Sequence, residues 1–313
     1  MSRSKVPDLS PYASMTEPHS FRFESMPRLF PSYWRILVSR KSRSLESGQV
    51  PRLEAVLPNA RVSKSHLARY RDVCGIPSSD ILPIAYLHVL AMPLQMALLT
   101  SKAFPVNIIG FVHTRSRLVQ NIPLPNDARG ELRTWIQGHE DSPLGQEFTL
   151  HTQFRFGDEI AWTEECVYLA RRRMKRDRSK LRELREKAGP EFPQPGNAYA
   201  NRFHIDVVLA RRYAWIAGDF NPIHLTDATA RWLGFDRAIM HGMWSLARCA
   251  GALSPAALHR RCVLEVYFKA PARLPTDLVV YKWDIESGEA FALRNSDNQR
   301  LHLAGALSFD APR

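Results

Sequence analysis

Cysteine is scarce in this 313-residue chain, with only Cys74, Cys166, Cys249 and Cys262, all far apart. No CxxC pair and no Cys/His cluster occurs, which argues against a disulfide framework and a structural zinc site and fits a reducing, cytoplasmic setting. The N-terminus has no early apolar core, so a secretory leader is not expected. Acid is also short: 31 Asp and Glu face 43 Lys and Arg, a net charge of +12. Such a balance suits nucleic acid, an anionic lipid surface or acidic ligands. Zinc-finger, RNP and helix-turn-helix signatures are missing, so nucleic acid is not the expected partner. Much of the positive charge falls in Arg171 to Lys187, RRRMKRDRSKLRELREK, which mixes both signs and reads as a solvated helix. One long uncharged run exists, Ile81 to Thr100, long enough to cross a bilayer. Pro83, His88, Pro93 and Gln95 interrupt it, and a helix buried inside a sheet is the expectation. No transmembrane segment is assigned.

With 45% hydrophobic residues the chain can build ordinary cores, and its length suits two small domains. The halves read as diverged copies. HLARYRDVCG (His66 to Gly75) aligns with VLARRYAWIAG (Val208 to Gly218), and an apolar helix follows each: Ile84 to Leu99 and Met243 to Leu253. GFVHTRSRL (Gly110 to Leu118) then matches VYFKAPARL (Val266 to Leu274), and both halves finish in strand-like stretches. The division expected is a leading arm over 1–50, a first domain over 51–170, a basic helix and Pro/Gly linker over 171–200, and a second domain over 201–313. The arm carries Tyr33-Trp34-Arg35-Ile36-Leu37-Val38 before Arg40, Lys41 and Arg43. It is read as packing on the domain, with peripheral contact to a lipid surface as the alternative.

The stretch Tyr213 to Gly242 concentrates the chemistry. Gly218 and Pro222 bracket a loop that cannot be helical and that holds Asp219, Asn221 and His224. A carboxylate and an imidazole converging across a bend can share one water and act as acid and base. Asn221 offers both donor and acceptor to support them. Thr226 or Asp227 caps a short helix that stops near Gly234. His241-Gly242 then opens an apolar helix whose free backbone N–H groups can meet a developing oxyanion. Together they point to addition or removal of water beside a carbonyl.

The string G-D-x-N-P-I-H, then G-F, then H-G-M, resembles the MaoC-like, (R)-specific enoyl-CoA hydratases of the hotdog fold, strongly over about thirty residues. The resemblance implies an α+β fold of two tandem hotdog domains, each an antiparallel sheet wrapped around a buried central helix. It implies Asp219 and His224 as the catalytic pair holding water, Asn221 in support, and the Gly242 amide as the oxyanion hole for the thioester. His241 either caps the helix or lines the pocket, with Phe220 and Pro222 as further pocket candidates. Ala217 replaces the Ser, Thr or Cys common in the family, and Thr226 stands where many members carry an acid.

The first copy has no counterpart of this loop, and the resemblance implies that it shapes an acyl tunnel. His113 and Arg115 are read as an outward-facing strand end, and Lys269 as a candidate partner for a coenzyme A phosphate. The expected reaction is reversible hydration of trans-2-enoyl to (R)-3-hydroxyacyl thioesters in fatty acid metabolism. No metal or redox cofactor is expected; coenzyme A or an acyl-carrier phosphopantetheine arrives with the substrate. A thioesterase or a non-catalytic acyl-thioester-binding protein is the alternative. Two fused halves can act alone or pair into a homodimer.

Overall fold

The computed structural model describes residues 19–42, 44–171, 199–297 and 300–309. The expected charged helix over 171–187 and the linker over 189–197 lie outside the described residues, save for Arg171, which ends a strand.

The two halves repeat one plan. In the first, β2 (Leu53–Arg61) leads through α2 (Lys64–Cys74) to α3 (Tyr86–Leu99), then β3 (Val112–Gln120), β4 (Arg129–Ile136), the short β5 (Glu140–Ser142), β6 (Gly145–Phe156) and β7 (Glu159–Arg171). In the second, β8 (Tyr199–Ile205) leads through α4 (Val207–Ala217), a 3-10 turn at Pro222–His224 and α5 (Asp227–Trp232) to α6 (Gly242–Ala250). A one-turn helix α7 (Pro255–Leu258) precedes β9 (Cys262–Phe268), β10 (Thr276–Ile285), β11 (Gly288–Asn295) and β12 (Leu301–Ser308). The arm contributes β1 (His19–Arg22), parallel to β2, and α1 (Leu29–Leu37).

The same local chemistry builds both copies. Ser63 caps α2 by accepting from the His66 N–H, and Asp206 caps α4 by accepting from the Leu209 N–H at 2.8 Å. Both helices end on a left-handed glycine, Gly75 with φ 61° and Gly218 with φ 71°, where a side chain would be strained.

Within the sheet the order is β1-β2-β4-β6-β7-β3-β9-β12-β11-β10-β8. Apart from the arm's β1, it is symmetric about the antiparallel β3–β9 pair, where Arg115 faces Tyr267 and Gln120 faces Cys262. Each half therefore closes its own sheet around its own helix. Helix α3 is buried at ten of its fourteen positions, from Tyr86 to Leu99. Its low polarity comes from occupying a sheet interior, and none of the described helices is long and apolar enough to cross a membrane. Helix α6 buries Met243, Trp244, Leu246, Ala247, Cys249 and Ala250, stopping three residues short of the expected Leu253. The break follows from Ser254-Pro255, which starts α7. The result is an α+β, two-part hotdog-like fold with a single core running through both halves.

The arm packs on the body, as α1 touches α3. It also leaves Phe30 and Trp34 exposed at 77% and 59%.

Candidate active site

Asp219, Asn221 and His224 come together because Gly218 releases the chain from α4 into a left-handed turn and Pro222 then sets a 3-10 turn. The Asn221 N–H donates to Asp219 Oδ1 at 3.1 Å, and Asn221 Oδ1 accepts from the Ile223 N–H at 3.3 Å. Asn221 therefore holds the loop through its backbone N–H and its Oδ1, and it also lines the cavity.

Two imidazoles sit behind the carboxylate, their rings stacked 3.7 Å apart. His224 Nδ1–H donates to the Ile239 carbonyl at 2.7 Å, which leaves Nε2 as an acceptor. That nitrogen faces Asp219 Oδ2 at 3.9 Å, too far for a direct hydrogen bond. His241 Nε2–H donates to the Asp219 backbone carbonyl at 3.0 Å, fixing the loop from below, and its Nδ1 is buried without a partner.

Burial raises the Asp219 carboxyl, but His241, His224 and the Asn221 amide outweigh it and hold the group below its usual range. Burial pushes both imidazoles down, His241 to about 3 and His224 below its ordinary value despite Asp219. At neutral pH the centre is one carboxylate facing one neutral imidazole, two acceptors separated by a gap. A water donating one hydrogen to each would complete it.

This centre lines a cavity of about 950 Å³ drawn from both halves. The second half supplies Asp219, Asn221, His224, His241, Gly242 and Phe268; the first supplies His88, Met92, Gln95, Met96, His113 and Tyr168. Gly242 opens α6 into this space, and a Cβ there would lie 3.0 Å from the Phe268 ring. Only a glycine lets a ligand oxygen approach the first amides of the helix without displacing Phe268. At the rim stand Arg115, Lys269, Arg273 and Arg300.

Several expectations need correction. Phe220 and Pro222 are not among the cavity-lining residues. Phe220 packs edge-on against Tyr33 and Trp215, because its side chain falls on the opposite side of the loop from Asp219. Pro222 starts the 3-10 turn, where its carbonyl accepts from Thr229 Oγ1 at 2.7 Å. His113 does not face outward but lines the cavity between the rings of Tyr168 and Phe268, whereas Arg115 is exposed, as expected, and reaches the cavity only at its rim.

Sequence reasoning also missed two constellations. Tyr33, from the arm, donates to the Gly218 carbonyl at 2.7 Å and accepts from the Phe220 N–H at 2.8 Å. It thereby grips the peptide groups on both sides of Asp219. In the first half, His88 Nδ1 meets Glu164 Oε2 at 2.8 Å, with Cys166 beside them. No local motif could reveal either, for the partners lie 185 and 76 residues apart. Two groups offer three metal-capable atoms within 4.8 Å of one another, Asp219–His224–His241 and His88–Glu164–Cys166.

Comparison with known proteins agrees with this architecture. A family model described as MaoC like domain matches residues 193–303. The 3-hydroxyacyl-thioester dehydratase X of Mycobacterium tuberculosis is 26% identical over 260 residues, covering 83% of this chain and 90% of the relative. The crystal structure of HtdX from Mycobacterium tuberculosis superposes with a TM-score of 0.69 at 24% identity, covering 81% and 98% of the two chains. A MaoC-like dehydratase from Phytophthora capsici gives a TM-score of 0.63 at 17% identity, covering 82% and 95%. The structural likenesses establish the fold, and the family model covers the half that carries the Asp219 loop, so residues 193–303 are similar to the MaoC like domain.

Proposed function

We propose that this protein is a hydro-lyase that interconverts trans-2-enoyl and (R)-3-hydroxyacyl thioesters. The observation that carries the reading is the 3.9 Å gap between two acceptors, Asp219 Oδ2 and His224 Nε2, inside a cavity that also holds the first amides of α6. The name of the Mycobacterium tuberculosis relative, a 3-hydroxyacyl-thioester dehydratase, supports the same chemistry.

In the hydration direction the pair holds a water against C3 of the enoyl group. One partner takes a water proton as the oxygen bonds to C3, and the C2=C3 electron pair moves toward the thioester carbonyl. The Gly242 N–H donates to the oxygen on which negative charge gathers. The pair then returns a proton to C2, so one water is added and both groups end as they began. Dehydration runs the same steps backward. Arg115, Lys269, Arg273 and Arg300 at the rim suit the phosphates of coenzyme A or of a carrier-protein phosphopantetheine.

The test is the loss of enoyl-thioester absorbance with trans-2-enoyl-CoA substrates of short, medium and long chain. Asp219→Asn should lower turnover by about 10²–10⁴-fold, the usual worth of a positioned acid or base. A variant that keeps most activity would refute the assignment. Release of free thiol instead of hydration would make the protein a thioesterase.

A further inference from the structure

The wall of the cavity contributed by the first half is a helical stripe. His88, Met92, Gln95, Met96 and Leu99 of α3 all line it, at spacings of four, seven, eight and eleven residues from the first. Those spacings place them on one face of the helix, about 16 Å long from His88 to Leu99. Met92, Met96 and Leu99 are what a methylene chain requires. His88 is not.

His88 and Glu164 are 2% and 0% exposed at their side chains, and they bond each other at 2.8 Å. Burying such a pair is costly, and apolar residues of similar volume in its place are often neutral or stabilising. Packing alone therefore gives little reason for it. Glu164 Oε1 is left buried without a hydrogen-bond partner. With Nδ1 engaged by Glu164, His88 keeps Nε2 as its remaining hydrogen-bonding atom, and no protein partner for it occurs among the described residues. The neighbouring polar groups are already satisfied: His113 Nε2 meets Ser116 Oγ at 2.8 Å, and Gln95 Nε2 meets Thr152 Oγ1 at 2.9 Å.

The position of His88 relative to the reacting carbons can be traced through contacts. The His88 ring lies 6.2 Å from that of His113, and His113 lies 4.7 Å from Phe268. Phe268 in turn covers Gly242. Two ring contacts thus separate His88 from the carbonyl site, while the rest of the α3 stripe leads away from it. A chain bound at Gly242 would pass His88 within a few carbons of C3.

We propose that the Glu164–His88 pair is a hydroxyl-recognition site in the acyl cavity, and that the preferred substrate carries a second oxygen, a hydroxyl, on the chain beyond C3. A hydroxyl fits because it can donate to a neutral Nε2 or accept from a protonated one. A plain methylene chain would leave that nitrogen dry and unpaired. The inference rests on the acyl-thioester reading of the cavity above.

Binding tests it independently of turnover. Calorimetric titration would compare saturated acyl-CoA with isomers of the same length bearing one hydroxyl at successive carbons from C5 to C8. One isomer should bind about tenfold or more tighter than the plain chain, as expected where a site built for a hydroxyl meets an analogue lacking it. That ratio should collapse toward unity in His88→Leu. Removal of His88 alone leaves a buried carboxylate without its partner, so the double variant His88→Leu/Glu164→Leu provides the second arm and should show the same collapse.

Equal affinity for plain and hydroxylated chains, absence of binding, or a preference that survives either variant would overturn the site. Hydration assays on the trans-2-enoyl counterparts of the same chains separate the two readings. Hydroxyl preference in binding with no hydration of any enoyl thioester would discard the hydratase and keep the recognition site. Brisk hydration with no hydroxyl preference would do the reverse.

Discussion

Replacing Tyr33 by Phe removes one oxygen and leaves the ring that packs on Phe220. That oxygen makes two hydrogen bonds, to the Gly218 carbonyl at 2.7 Å and from the Phe220 N–H at 2.8 Å. At a net worth of about 0.5–1.5 kcal/mol each, their loss loosens the loop by about 1–3 kcal/mol. The phenol itself does not ionise, because burial first, and then the Asp219 charge, raise it far above the ordinary range. Asp219 lies between the two released peptides, so its aim at the gap facing His224 Nε2 suffers. Since 1.4 kcal/mol is a factor of ten, kcat should fall about 5- to 100-fold while KM changes by less than about threefold. Hydrogen exchange gives a second readout, with the Phe220 amide losing protection by a similar factor while amides of α6 keep theirs. Unchanged kcat together with unchanged exchange at Phe220 would refute the reasoning, and a loss confined to KM would move Tyr33 from loop positioning to substrate binding.

Acidification should destabilise the fold. His113 and His241 are both pushed down to about 3 by burial, and His224 is also lowered by burial, so the folded protein resists protons that the unfolded chain takes up near 6.5. For His113 and His241 this stability is complete above about pH 6.5 and is lost as pH falls toward 3, at about 1.4 kcal/mol per pH unit for each of the two, with His224 adding in the same direction, read as a falling urea midpoint from pH 7 to 5. A midpoint that is flat over that window would contradict neutral burial of these rings. Gly242→Ala should reduce kcat about 10-fold or more, because the new Cβ meets Phe268 at 3.0 Å beside the carbonyl site; near-normal circular dichroism with normal kcat would remove Gly242 from the mechanism. Gly218→Ala combines a φ of 71° with a Cβ that would sit 2.4 Å from Leu29 Cδ1, so thermal unfolding should shift down by about 1–2 kcal/mol and α1 should gain protease sensitivity. Cleavage in α1 no faster than in the parent would argue against the arm being held at this point.

The loop from Gly218 to His224, the caps and the tandem pattern were legible in the sequence because short-range rules govern them. A glycine that ends a helix, a proline that blocks the next one, a capping Thr226, and apolar runs of helical length each act over a few residues. They were enough to bring Asp219, Asn221 and His224 into one bend and to place Gly242 at the head of a buried helix. Spacing also sufficed to reject a membrane span for the run before Thr100, since the same kind of apolar helix recurs in the second half.

What only the tertiary structure decided depends on pairing between distant segments. An irregularity between His113 and Arg115 in the β3–β7 pairing turns His113 inward while Arg115 stays exposed, although simple alternation along one strand would put the two on the same face. Phe220 takes the far side of its loop because the arm arrives there with Tyr33, 187 residues away. Glu164 finds His88 because β7 crosses behind α3, and a single histidine in an apolar run carries no sign of that partner. Local conformation is set by each residue's own backbone preferences, whereas the cavity exists only once two sheets have joined edge to edge and each has closed on its helix. That is why the acid–base loop could be read from thirty residues and the wall facing it could not.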